Sequence, residues 1–231
     1  GPADVYGHSN FTQTPRKQLI HHDLFNPAAH KASEEDHKRL QIDPDERMAQ
    51  IMGGPLNTRT LPAAAVFTDA VASNYAHWLT EVLPRIVLYT RHACSKGVPL
   101  IVDEGLHPNL YESLSIAIGE DRVVYTLPKD RRAQVNSLDV VTPTGYVPYA
   151  SRSPRRPGHS HGVFSPQALE AVRDAFKHLM ARPAGTGGKH IYVRRNAGLR
   201  KLINDQEISN LLSAAGFTII APEELTFSEQ V

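Results

Sequence analysis

Twelve residues in the middle of the chain, Asn74-Tyr-Ala-His-Trp-Leu-Thr-Glu-Val-Leu-Pro-Arg85, combine groups that could move a proton with a spacing that would bring them together. On a helix, Asn74, His77, Glu81 and Arg85 follow one another at three or four residues and form a polar row. Histidine titrates near neutrality, so His77 suits general-base chemistry. Glu81, one turn on, is within reach of both His77 and Arg85, and a carboxylate there would orient the imidazole and raise its basicity. On this reading either His77 or Glu81 could be the base. Tyr75, Trp78, Leu79, Val82 and Ile86 form an apolar stripe beside the row at helical period. Pro84 deletes the hydrogen bond to the carbonyl of Thr80, which predicts a kink and a free carbonyl near the polar row. The plain alternative is an amphipathic helix with a solvated face.

A second set of reactive types lies near the end of the chain. Arg194 and Arg195 close a predicted strand, with Asn196 and Arg200 just beyond. Guanidinium groups are always charged and grip phosphate through a planar fork. The alternative is a basic strand end in water, with Asn196 serving a turn. Asp69 and Asp103 stand where loops leave predicted strands, the usual place for ligands in open α/β sheets. Arg152, Arg155 and Arg156 form a basic loop, read either as a mobile exposed loop or as a flap facing acceptor or phosphate. His21-His22-Asp23 and His159-x-His161 hint at metal, but neither has further ligands at a recognised spacing, so no metal site is expected. Gly185-Thr-Gly-Gly-Lys-His190 fails as a P-loop, because Pro183 and His190 occupy positions that need glycine and Ser or Thr.

The run from Asn74 to Arg85 resembles the signature of the family 61 glycosyltransferases. His190-Ile-Tyr-Val-Arg-Arg-Asn-Ala-Gly-Leu-Arg-Lys-Leu-Ile-Asn204, followed by Gly216-Phe-Thr-Ile-Ile-Ala-Pro-Glu-Glu-Leu-Thr-Phe-Ser-Glu-Gln230, is similar to that family's succession of strand, Arg-Arg-Asn, capped helix, strand and Pro-Glu-x-Leu. The resemblance spans about residues 64–231. It implies an α/β, GT-B-like fold and an inverting transfer of a sugar from a UDP-type nucleotide-sugar to a hydroxyl of a glycan or polysaccharide. It also implies His77 and Glu81 as catalytic, Asn74, Arg85, Asp69 and Asp103 on the acceptor side, and Arg194, Arg195, Asn196 and Arg200 at the donor. No tightly bound cofactor and no required metal are implied. The expected partners are nucleotide-sugar and glycan acceptor, with homo-oligomer formation left open. An alternative of another class is a catalytically silent carbohydrate- or partner-binding module on the same scaffold. A plain Rossmann-like nucleotide binder is a third, which lacks Gly-x-Gly-x-x-Gly.

Composition narrows the classes further. A net charge of +1 excludes the balance of a general nucleic-acid binder. A hydrophobic share of 41% is enough for a sizeable core. Cys94 is the only cysteine, so no intrachain disulfide can form, which favours a reducing compartment. No run is long and apolar enough to span a membrane, and no charged-then-apolar leader is seen. The expectation is a bacterial cytoplasmic enzyme, or one in the secretory-pathway lumen if eukaryotic. Asn10-Phe-Thr12 fits a glycosylation acceptor.

The elements that must position these groups divide the chain into three. Residues 1–60 read as a polar, irregular segment with short helices at Ser33–Leu40 and Asp43–Met52, where acidic residues follow helix-start signals. Residues 61–182 read as a first, acceptor-side Rossmann-like domain. Its strands are Ala64–Thr68, Pro99–Val102, Arg122–Leu127 and Ser137–Val141, and its helices are Asn74–Arg91 (kinked), Pro108–Ile118 stopped by Gly119, and Ser165–Met180. Alternating strands and helices predict a parallel sheet covered on both faces. Residues 183–231 read as a linker and a partial nucleotide-sugar domain: strand His190–Arg194, helix Asp205–Ala215 capped by Asn204 with Glu207 three on, strand Phe217–Ile220 and the first turn of a helix at Thr226–Val231. A lone βαβ unit cannot bury a core, so the chain reads as truncated and is expected to be inactive alone.

Overall fold

A computed structural model describes residues 1–54, 56–119, 121–153, 161–180, 190–195 and 202–231. The chain opens with β1 (Ala3–Tyr6), β2 (Thr12–Gln13), β3 (Leu19–Ile20) and β4 (His30–Lys31), then α1 (Ser33–Asp36), β5 (Leu40–Asp43) and β6 (Met48–Ile51). β7 (Leu56–Val66) leads into α2 (Tyr75–His77), a π-helical turn (Trp78–Val82) and α3 (Leu83–Thr90). β8 (Leu100–Asp103), α4 (Pro108–Ile118), β9 (Val124–Leu127) and β10 (Arg131–Val140) follow. The remainder is β11 (Gly145–Tyr146), β12 (Ala150–Ser151), β13 (Val163–Phe164), α5 (Pro166–Met180), β14 (Ile191–Val193), α6 (Asp205–Ala214), β15 (Thr218–Ile220) and α7 (Phe227–Gln230).

Seven strands form the main sheet in the order β3-β2-β1-β10-β7-β8-β9. From β10 to β9 neighbours are parallel, whereas β1, β2 and β3 add antiparallel on the β10 side. The result is a mixed α/β fold compatible with a Rossmann-like arrangement. Alternation along β8 sends Leu100 and Val102 to one face and Ile101 to the other. On the first face α3, α4 and α5 pack around Phe67, Trp78, Val82, Ile86, Leu110 and Phe176. Trp78 is fully buried, and its indole N–H donates to Ser113 Oγ at 2.8 Å. The other cluster, around Val5, Ile101, Leu127 and Val135, comes from strand residues alone.

That last point corrects the expectation of helices on both faces: among the described residues no helix contributes to the second cluster. The N-terminal segment also departs from expectation. Residues read as irregular supply β1, whose Ala3 and Val5 face Val135 and Ala133 of β10. Asp43–Met52 is not a helix but the turn and second strand of a hairpin, in which Ile42 pairs with Ala49. Asp43-Pro-Asp-Glu is equally good turn chemistry: the Asp43 carboxylate accepts the N–H groups of Asp45 and Glu46 at 3.1 Å, and Arg47 takes φ of 52°. Helix α1 is shorter than expected and is capped at Ala32, whose N–H donates to Glu35 Oε2 at 2.8 Å. The predicted strand Ser137–Val141 is the end of the longer β10. Asn204 precedes α6 but makes no side-chain cap bond. The linker at 183–188 lies outside the described residues.

The helix at Pro108–Ile118 matches expectation, with Gly119 at φ of 76° ending it. α7 is held by a capping box between Thr226 and Glu229. Glu112 of α4 accepts the N–H groups of Phe227 and Ser228 at 2.8 and 3.2 Å, which ties α7 to the first core.

Candidate functional site

The helix that carries the polar row is broken in the way that matters for chemistry. Asn74 is its N-cap, with Oδ1 accepting the Ala76 N–H at 3.0 Å. The chain then widens into the π-turn, where the Leu83 N–H bonds the Trp78 carbonyl five residues back. Pro84, which has no N–H to give, falls at the start of the α-helix that resumes. The wider turn changes which residues stand in line. The row is solvated only at its start: Asn74 is exposed, whereas Glu81 is 4% exposed and Arg85 is mostly covered. The Thr80 carbonyl faces Gly145 of β11, where an added Cβ would come within 2.6 Å of its oxygen. Any side chain at that position would push the strand off the turn.

Two adjoining clefts open at the carboxyl ends of β7 and β10, with volumes of about 240 and about 210 Å³. Glu81, Asn10, His21 and Tyr146 line both. Asp69 and Arg85 line the larger, and Asn74 and His77 line the smaller. His77 Nδ1 is bonded to Glu81 Oε1, and the Val147 N–H donates to Glu81 Oε2 at 3.4 Å. Glu81 is thus fixed while 25% of the His77 side chain stays exposed. The hydrogen bond from Glu81 raises the His77 pKa above its ordinary value, against the opposing effect of burial. Arg85 Nε donates to the Glu81 carbonyl at 2.9 Å, and its Nη2 stands 3.4 Å from Asp69 Oδ2.

Asp69 is buried and heavily engaged. Its carboxylate accepts from Asn10 Nδ2 at 2.9 Å and from the Val71 N–H at 3.0 Å. Burial pushes its pKa up to about 6 even though Arg85 pulls it down. Asp103 lies a layer deeper and lines neither cleft. It is wholly buried, and its two oxygens accept the His8 N–H at 2.5 Å and the Asp69 N–H at 2.8 Å. Burial pushes it up to about 8 despite those bonds. Asp103 therefore joins the N-terminal segment to the loop that carries Asp69, rather than facing the clefts.

Among the described residues, the donor-side candidates Arg194 and Arg195 do not line these clefts. Arg194 follows β14 and pairs through Nε with Asp205 Oδ2 at 2.5 Å, at the start of α6. Its N–H bonds the Ile220 carbonyl at 2.7 Å, next to the parallel pair β14–β15. Arg195 is next to it and exposed. Asn196 and Arg200 lie outside the described residues, as do Arg155, Arg156 and His159. Arg152 is described: its Nη2 donates to both carboxylate oxygens of Glu35, at 2.8 and 2.6 Å, and its Nε donates to the Pro27 carbonyl at 2.6 Å.

Half of the cleft wall comes from residues whose roles the sequence did not reveal. Asn10, read as a glycosylation acceptor, has its amide nitrogen on Asp69 and its oxygen on the Ala70 N–H at 2.6 Å. Glu34 is buried, with its pKa raised by burial, and accepts the Asn10 N–H at 2.7 Å. His21, His22 and Tyr146 complete the wall. Of these, Asn10 and the histidine pair carried sequence signals, read as glycosylation and metal, and Glu34 and Tyr146 carried none. Among the described residues, no group of three or more His, Cys, Asp or Glu side chains is placed to hold a metal ion, and no helix is long and apolar enough to cross a membrane.

No curated protein and no solved structure matches the chain. The family model for Glycosyltransferase 61 matches residues 75–231, from the broken helix with its His77–Glu81 pair to the end of α7. That match covers more than half of the sequence and includes all but Asn74 of the two motifs that suggested the same family. The chain belongs to the glycosyltransferase 61 family.

Proposed function

We propose that this chain transfers a sugar, with inversion, from a UDP-type nucleotide-sugar to a hydroxyl of a glycan or polysaccharide, and that His77 is the base. The observation that carries the reading is the His77–Glu81 pair at the junction of two clefts. A carboxylate on Nδ1 fixes the imidazole tautomer and leaves Nε2 to take a proton, the logic of other carboxylate-oriented histidine bases. Glu81 is then the positioning residue and not the base, since both its oxygens are engaged inside the protein.

The clefts suit an acceptor better than a donor diphosphate. Asp69, Glu81 and Glu34 present carboxylates, which accept hydrogen bonds from hydroxyls and repel phosphate. Arg85 and Asn74 complete this acceptor side, and Asp103 supports it from beneath. The diphosphate is assigned to Arg194 and Arg195, just past β14, and to Asn196 and Arg200 next in sequence, in a nucleotide-sugar domain that begins near residue 183 in a GT-B-like architecture. No tightly bound cofactor or metal is assigned, so turnover is expected to persist in chelator.

The test is steady-state kinetics on His77→Ala and Glu81→Gln with saturating donor and acceptor. Each should lower kcat by about 10²–10⁴-fold, the usual worth of a general base. Wild-type rates in both would remove the pair from the chemistry. Binding of both sugar and donor without turnover in the wild type would make the chain a binding module.

A further inference from the structure

The segment between β3 and β4 lies before the family-matched region, yet it places two histidines in the cleft. The ring of His21 packs on Phe25 at a centroid distance of 4.4 Å, and the ring of His22 meets Tyr146 edge-on at 4.4 Å. The two rings also contact each other at 4.4 Å. These contacts hold the imidazoles in place without using their nitrogens. His21 Nδ1 accepts the His22 N–H at 2.9 Å, so in the neutral ring the proton belongs on Nε2. That Nε2 is buried and has no protein partner, and neither has His22 Nδ1. A buried polar atom left unpaired costs about 1–3 kcal/mol. Both residues line the larger cleft, so a small turn of either ring would offer its unpaired nitrogen to a ligand.

The chemistry of the missing partner follows from its surroundings. Burial pushes His21 down to about 4 and His22 down to about 3, the latter also disfavoured by its neighbour His21 and by Arg85. Both rings are therefore neutral at physiological pH. Arg85, Asp69 and Glu81 face the same cleft, and Asp23 adjoins the pair. Neutral imidazoles among carboxylates do not attract an anion. A hydroxyl fits, because it both donates and accepts and so satisfies either tautomer of His22. We propose that His21 and His22 form the specificity-determining wall of the acceptor subsite. His21 Nε2–H donates to one hydroxyl of a neutral sugar ring and His22 Nδ1 meets another. This deepens the glycosyltransferase reading and rests on the acceptor occupying this cleft.

The test separates this subsite from the assignment of the base. The imidazole nitrogens of the wild-type protein are followed by long-range proton–nitrogen NMR, with no donor present. Methyl glycosides of glucose, galactose, N-acetylglucosamine and xylose are added in turn, and inorganic phosphate is the control. At least one glycoside should shift the His21 and His22 signals while phosphate does not, and both rings should stay neutral from pH 8 down to pH 5. In turnover assays His21→Ala and His22→Ala should each raise acceptor KM about tenfold, the effect of one hydrogen bond of about 1.4 kcal/mol, with kcat and donor KM within a factor of two. His21→Gln keeps a donor and should restore part of the loss, which a merely structural role would not allow. Silent imidazole signals with every glycoside, competition by phosphate, or a loss confined to kcat would each overturn the proposal. If the signals shift but His77→Ala retains full turnover, the base assignment fails and the subsite stands. The reverse pattern leaves the base and removes the subsite.

Discussion

The proposed base, His77, is defined by one hydrogen bond, and its pH dependence follows from that bond. Glu81 raises the pKa of His77, so the imidazole holds its proton to a higher pH than a free histidine would. A base works only when neutral, so kcat/KM should fall as pH is lowered through a value above 6.5. Glu81→Gln removes the charge that favours the imidazolium, so the acid limb of the remaining activity should move to lower pH. A limb that stays in place would mean that another group titrates there. On the donor side, Arg194→Ala should weaken UDP binding by roughly 1.5–3 kcal/mol, the range for hydrogen bonds to charged groups. Arg194 already leans on Asp205, so Asp205→Ala is the necessary comparison. If calorimetry gives wild-type affinity for Arg194→Ala, the arginine serves only the ion pair.

At the scale of elements, the broken helix both builds the core and presents the site. Trp78→Ala should cost about 3–5 kcal/mol as a large-to-small change. His77→Ala, one residue away, should leave the urea midpoint nearly unchanged. Equal losses in the two would show that the polar row is structural. Asp103→Ala tests the joint between β8, the Asp69 loop and the N-terminal segment. It orphans two backbone N–H groups, each worth roughly 1–3 kcal/mol. The folded pKa of Asp103 is raised to about 8 from an unfolded value near 4, so the native state holds an extra proton between them. Stability should fall as pH rises towards 8; near pH 6.5 this slope is opposed by His21 and His22, which are neutral when folded but about half protonated when unfolded. His77, whose folded pKa is also raised, acts in the same direction as Asp103. Asp103→Ala should flatten that slope, and an unchanged slope would locate the extra proton elsewhere.

The polar row and helix α4 were legible because long helices repeat their pattern several times. The contact between His77 and Glu81 could be read from spacing alone, since residues four apart meet on a helix whatever surrounds it. The π-turn could not, because no residue type announces an extra residue per turn. The hairpin at β5–β6 was misread because acidic residues after Asp-Pro cap a turn as well as a helix. The cleft wall from residues 8–34 was illegible for a different reason. Strands of two residues have no period, and Asn10, His21 and Glu34 gain their meaning from partners far along the chain.

Across the whole molecule, the sheet order has a consequence in time. β1 lies between β2 and β10, so Ala3 must wait for Val135 before it can pair. Contacts so distant in sequence close slowly, because loop entropy is lost before the pairing rewards it. The helix–sheet core around Trp78 draws mainly on neighbours such as Ser113 and can condense earlier. The clefts need Asn10, His21 and Glu34, which arrive only when β1 docks. Refolding should therefore run in two stages. The emission of Trp78, the only tryptophan, should recover first, and turnover or sugar binding should return later. Coincident recovery of both signals in one phase would show that the arm docks with the core. If the stages separate, the chain passes through a form with a finished interior and no site, and an enzyme in that form is folded by every spectroscopic measure except the one that counts product.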